Sequence, residues 1–247
     1  MLEIKNLTKT FNRGTENEIK VFEDFNISFE ENKCTAIIGH NGCGKSTLMN
    51  IIGGNIKSDE GEILINDKDV SGLKEEDRSR YIGRVHQDPS MGVAPSLTIL
   101  ENMAMAHKKN EKFSLKALVN KKNINLYREL LSSLDLGLED MLDTKVKFLS
   151  GGQRQSLSLV MAAMKHPDIM LLDEHTAALD PKTSFLIMNK TKELIDDFKM
   201  TTIMISHNMS DAIKYSDRVI MLEEGRIVLD EKTSSLTEDR LRSIYIN

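Results

Sequence analysis

The sequence predicts an α/β fold that opens with antiparallel strands and carries a helical insertion, and three stretches support that expectation. Gly39–Thr47 (GHNGCGKST) matches G-x-x-x-x-G-K-[ST] and lies between an apolar run, Cys34–Ile38, and a helical pattern in Leu48, Met49, Ile51 and Ile52. Ile169–Leu172, four apolar residues in a row, reads as a strand buried on both faces that delivers Asp173 and Glu174 to its carboxyl end. Between residues 88 and 165 the spacing turns helical: Tyr127, Leu130, Leu131 and Leu134 recur at i, i+3, i+4, i+7, as do Leu157, Val160, Met161 and Met164.

Composition narrows the function classes. At 247 residues the chain suits one large domain or a core with an inserted subdomain. The net charge of −5, with lysines dispersed among acids, argues against nucleic acid as the main partner. No signal peptide and no apolar run of bilayer-spanning length is present, so a cytosolic chain is expected. Two cysteines suit neither a disulfide framework nor a zinc knuckle. Cys34 reads as a small core residue; Cys43 lies in the glycine-rich loop, where a helix end would favour its thiolate, or is simply a tolerated small residue.

Taken in order, Leu2–Leu7 and Phe25–Phe29 alternate apolar and polar residues as strands do, with a polar turn over Asn12–Glu18. Phe11 is the candidate for stacking on a base, although a lone Phe at a strand end reads as core when taken by itself. The glycines at 39, 42 and 44 let backbone N–H groups and a positive helix end approach phosphate oxygens. Lys45 is a flexible cation suited to β- and γ-phosphates, the Ser46 hydroxyl suits Mg²⁺, and Thr47 adds an α-phosphate contact. Gly61–Ile65 reads as a strand and Val70–Arg80 as a charged connection. Tyr81–Gln87 reads as a strand ending in Gln87 beside Asp88-Pro89, which without context is a solvated strand end.

Within the helical stretch, Ala94–Ala106 is expected to be the most adaptable surface, although methionine stripes are usually core. Leu149-Ser150-Gly151-Gly152-Gln153-Arg154-Gln155 places small residues at a helix start, a second candidate anion site. Burying one carboxylate is costly, so the pair after Leu172 points to a cation and a task, with Asp173 holding Mg²⁺ and Glu174 polarising an attacking water. Asp180 is the expected N-cap and Pro181 the first residue of the next helix, with Leu194, Ile195 and Phe198 on its buried side. Thr201–Ser206 reads as a strand followed by His207, either a γ-phosphate contact or a capping histidine. A hairpin around Glu223-Glu224-Gly225 and a charged helix close the chain.

In this order and over nearly the whole chain, the motifs resemble the nucleotide-binding subunit of ATP-binding-cassette (ABC) transporters. The resemblance implies a P-loop NTPase (RecA-like) core over 1–87 and 166–247, with an antiparallel β subdomain and a helical signature subdomain over 88–165. It implies ATP binding by Phe11, Gly39, His40, Asn41, Gly42, Cys43, Gly44, Lys45, Ser46, Thr47 and Gln87, and in trans by Ser150, Gly151, Gly152 and Gln153. Lys45, Gln87, Glu174 and His207 become the implied catalytic groups, Ser46, Gln87 and Asp173 the Mg²⁺ site, and Ala178, Leu179 and Asp180 a D-loop at a dimer interface. Two copies would pair head to tail around ATP and drive an integral-membrane permease from the cytoplasmic face, served by an extracytoplasmic binding protein.

Two departures stand out. The adenine-stacking aromatic of the family is often Tyr; Phe11 keeps the ring face without the hydroxyl, which implies a modest base preference. Most members carry Pro where this chain has His175, and the run DEHTAALDP resembles importer ATPases assigned to tryptophan or related amino acids. A soluble cassette ATPase of iron–sulfur cluster assembly and an exporter ATPase are the alternatives.

Overall fold

The computed structural model describes residues 1–109 and 118–246, so part of the stretch read as helical, 110–117, lies outside the described residues. The chain begins with β1 (Leu2–Phe11) and β2 (Ile19–Phe29), joined by the polar turn, then β3 (Cys34–Gly39) and α1 (Lys45–Gly53). Next come β4 (Glu60–Ile65), β5 (Lys68–Asp69), a single-turn helix α2 (Glu75–Arg78) and β6 (Ile82–Val85). The helices α3 (Ile99–His107), α4 (Ile124–Ser132) and α5 (Gly151–Ala163) precede β7 (Ile169–Asp173) and α6 (Pro181–Phe198). β8 (Thr201–Ile205), α7 (Met209–Tyr215), β9 (Arg218–Glu223), β10 (Arg226–Lys232) and α8 (Glu238–Ile246) complete the order.

Two sheets result. β2-β1-β4-β5 is antiparallel, and the six-stranded sheet runs β10-β9-β3-β8-β7-β6, parallel except for the β10 edge. Because side chains alternate along a strand, each central strand feeds two cores. Ala36, Ile38, Met170, Leu172, Met204, Val219 and Met221 pack with α3, α4 and α5 on one face. Ile37, Ile169, Leu171, Ile203, Ile205, Ile220 and Leu222 pack with α1 and the antiparallel sheet on the other. The helical stretch therefore shares its apolar core with the central sheet. Cys34 belongs to that core, and burial pushes its thiol pKa up to about 12.

Two expectations are corrected. Ala94–Ala106 is tied down: Thr98 and Glu101 form a reciprocal cap on α3, and buried Asn102 bonds Ala94 through both its N–H and its carbonyl. Met103 is buried and only Met105 of that pair is exposed, as apolar spacing on a packed helix requires. The connection 70–80 contains α2, whose Arg78 is only 2% exposed and donates to the carbonyls of Ile52 and Ser71 at 3.0 and 2.8 Å. With a further bond to Ile51 O, Arg78 thereby satisfies two carbonyls at the end of α1. Among the described residues no helix is long and apolar enough to cross a membrane.

Candidate nucleotide site

The parallel order β3-β8-β7-β6 brings the carboxyl ends of four strands to one edge, and the predicted residues sit there in sheet order: Gly39 ends β3, His207 lies just past β8, Asp173 ends β7 with Glu174 next, and Gln87 lies beyond β6. The ladder continues past the strands, since Ser206 N–H donates to Ile37 O and Glu174 N–H to Ile205 O, both at 3.3 Å. Gln87 is exposed and lies two residues beyond the end of β6, not on the strand as the pattern suggested, because pairing with β7 stops at Val85.

The glycine-rich loop has the backbone its sequence demands. Gly39, Gly42 and Gly44 have φ of 146, 83 and 111°, and α1 starts at Gly44 with no side chain capping its first turn. A Cβ at Gly39 would stand 2.2 Å from Leu222 O, and one at Gly44 2.8 Å from Phe22 Cζ, whereas Gly42 faces open space. The loop is braced from outside, by β2 through Val21 and Phe22 and by Gly225 N–H donating to Cys43 O at 3.1 Å. Lys45 is buried, its Nζ 2.7 Å from Gly39 O and 2.9 Å from His40 O, so the cation is held over the loop. Cys43 is buried too, which removes the accessibility that oxidation would need. Ser46, His40 and Asn41 are exposed at the mouth and Thr47 is half-buried. His40 Nε2 lies 2.9 Å from Tyr245 O, with the two rings 4.0 Å apart, so α8 packs against the loop.

At β7, Arg84 from the neighbouring β6 holds Asp173 Oδ2 at 3.1 Å, both side chains being largely buried. Glu174 adopts a left-handed φ of 46°, and its Oε1 is 2.5 Å from His207 Nε2. His175, next along, is 2% exposed, its Nε2 lies 3.2 Å from Thr191 Oγ1, and burial lowers its pKa to about 4, so the ring is neutral. The pKa of His86, just before Gln87, is lowered below its ordinary value, chiefly by burial and then by Arg84. Glu174, His175 and His207 line a cavity of about 1000 Å³ that extends past Phe185 to Glu238, Arg242 and Tyr245.

The second candidate anion site is a helix start, but a capped one. Ser150 Oγ accepts from Gln153 N–H at 3.2 Å, and Gln153 Oε1 accepts from Ser150 N–H at 3.1 Å, so the amides of Gly151 and Gly152 remain as its donors. Gly152 is needed for close helix packing: a Cβ there would come within 2.4 Å of Thr183 Cγ2 on α6. Ala178 and Asp180 are exposed beside it, Leu179 half-buried, and Asp180 caps α6 through Thr183 N–H at 3.1 Å. Among the described residues no hydrogen bond joins 150–153 to 39–47. Phe11 ends β1, half-buried, with Lys9 Nζ 5.2 Å from its ring centre.

Ser46, Gln87 and Asp173 offer a hydroxyl, an amide and a carboxylate oxygen, hard donors that suit Mg²⁺. Among the described residues no cluster of three His, Cys, Asp or Glu forms a protein-only metal cage. Sequence reasoning missed Arg84, Thr191 and Tyr245 as neighbours of the site, since nothing in their local pattern announces contacts made through the tertiary fold.

Comparison with known proteins agrees with this geometry. Residues 22–177 match the family model described as "ABC transporter". The chain is 45% identical over 232 residues to the tyrosine transport ATP-binding protein of Clostridioides difficile (strain R20291), covering 94% of this chain and 92% of that one. It is 35% identical over 251 residues to the phosphonates import ATP-binding protein PhnC 1 of Ruegeria sp. (strain TM1040), covering 99% and 94%. Its fold matches the ATP-binding cassette MJ0796, solved as a post-hydrolysis dimer bound to ADP and Pi, with a TM-score of 0.80, 32% identity and coverage of 96% and 100%.

Proposed function

Because the chain belongs to the ABC transporter family as its ATP-binding, ATP-hydrolysing part, we propose that it energises a separate membrane permease in the uptake of an aromatic or related amino acid. One observation carries the chemistry: Glu174 and His207 stand 2.5 Å apart on the sheet edge that also bears the uncapped start of α1. In this reading the loop amides and α1 cradle the phosphates, and Lys45 exchanges its two carbonyl partners for β- and γ-phosphate oxygens. Glu174 takes the proton of the attacking water, and His207 orients that carboxylate and contacts the γ-phosphate. Gln87 adjoins the same edge and lines the attacking water, and Phe11 offers its ring to the base.

Ser46, Asp173 and Gln87 would hold Mg²⁺, which when bound neutralises phosphate charge. Asp173 would then leave Arg84 for the ion or share its carboxylate between them. The missing half of each site comes from a second copy: Ser150, Gly151, Gly152 and Gln153 of that copy close on the phosphates, with Ala178, Leu179 and Asp180 at the seam. ATP then favours the closed pair because it touches both chains only there.

The cargo reading is supported by the 45%-identical relative, a tyrosine transport ATP-binding protein, and the importer part by the second, a phosphonates import ATP-binding protein. It places the protein at the cytoplasmic face of a membrane, bound to its permease and working with an extracytoplasmic binding protein, with no role for nucleic acid. Gentle-detergent co-purification of the tagged protein from its own cells, with partners identified by mass spectrometry, tests it. A multispanning permease and a binding protein whose ligand is an aromatic amino acid are expected. Soluble iron–sulfur assembly partners, or a permease without a binding protein, would overturn the importer assignment.

A further inference from the structure

Glu174 carries a backbone conformation that L side chains seldom adopt, and such conformations persist where the surroundings over-determine them. The contact with His207 is partly solvent-exposed, so by itself it is a weak restraint. The stronger restraint lies on the other side. The chain leaving Glu174 is fastened to α6 twice: Ser184 Oγ donates to Thr176 O at 2.8 Å, and His175 Nε2 pairs with Thr191 Oγ1 at 3.2 Å, both of these side chains being buried. The first turn of α6 in turn packs on the Gly152 end of α5, so the reacting carboxylate and the signature helix share one strut.

We propose that His175 is a positioning residue for ATP hydrolysis, its buried bond to Thr191 anchoring the segment after Glu174 to α6 so that the carboxylate stays aimed at the attacking water. The inference rests on the reading of Glu174 as the base. A histidine that merely filled a core slot would affect stability alone; an anchor for the reacting group sets turnover, because a carboxylate displaced by a fraction of an ångström loses its alignment while nucleotide contacts made by the glycine-rich loop persist.

The test measures steady-state Mg-ATPase, affinity for a fluorescent ATP analogue and thermal midpoint for E174Q, T191V, T191S and H175F. Thr191→Val removes only the hydroxyl, and His175→Phe fills the slot without a hydrogen bond, so either one decides the matter if the other does not fold. The expected result is a roughly tenfold fall in kcat with KM and nucleotide affinity within about twofold of wild type, and recovery in Thr191→Ser. Wild-type kcat in T191V or H175F, a loss that Thr191→Ser does not restore, or a parallel loss of nucleotide affinity overturns it. E174Q separates the two claims: wild-type turnover there removes the base and the anchor together, whereas an inactive E174Q beside a fully active T191V removes the anchor alone.

Discussion

Lowering the pH from 7 to 5 removes about 2 kcal/mol of stability through His175. Its ring is buried and neutral, with the pKa lowered from 6.5 to about 4. The unfolded chain therefore takes up a proton near pH 6.5 and the folded chain only near 4, so between those values the unfolded state binds more protons. Stability from this group is complete above the unfolded pKa and is lost as pH falls through the window, at up to ~1.4 kcal/mol per unit. At pH 5 the unfolded ring is almost fully protonated and the folded ring about one-tenth protonated, a roughly 30-fold difference in neutral fraction, which converts to about 2 kcal/mol. Other groups titrate too, so the assay compares equilibrium urea unfolding of wild type and His175→Gln at both pH values. Wild type should lose about 2 kcal/mol more than the variant. Equal losses in both proteins would mean that the folded ring takes up its proton as freely as the unfolded one, and the burial argument would fail.

Three further outcomes follow from the site. Lys45→Ala should weaken ATP binding by roughly 10- to 100-fold, the range for one charge-assisted contact, and unchanged affinity in a fluorescent-nucleotide titration would remove that contact. Gly44→Ala forces a side chain onto a backbone with φ of 111° and into Phe22, so a lower thermal midpoint and loss of nucleotide binding are expected; a wild-type melting curve would show that the loop relaxes freely. Ser150→Arg should leave ATP binding by the single chain intact while blocking ATP-dependent pairing in size-exclusion chromatography. Loss of single-chain binding would show that the α5 start acts within its own chain.

What the sequence revealed was what local spacing encodes. The glycine-rich loop, the strand ending at Asp173, and the cap of Asp180 with Pro181 each occupy a few consecutive residues, and the structure places them as expected. The uninterrupted apolar run of 169–172 likewise foretold a strand buried on both faces, and its side chains do divide between the two cores. What stayed hidden was contact between distant residues of unremarkable local pattern. Arg84 meets Asp173 across 89 residues and Tyr245 meets His40 across 205, and neither Arg84 nor Tyr245 belongs to a motif. Arg78 looked like part of a solvated connection because charge alone does not announce a buried role at a helix end. His175 was visible as a departure from the family's usual proline, but its task was not, since Thr191 lies on the far side of a turn and well into the next helix.

In the proposed function hydrolysis needs two chains, each supplying half of a site. The most direct measurement is the solution mass of Glu174→Gln by light scattering, with and without Mg-ATP, alongside its turnover. A 27.9 kDa particle is expected without nucleotide, a particle of twice that mass with ATP, and almost no hydrolysis. A variant that stays at 27.9 kDa with ATP bound, or that hydrolyses at the wild-type rate, would contradict it.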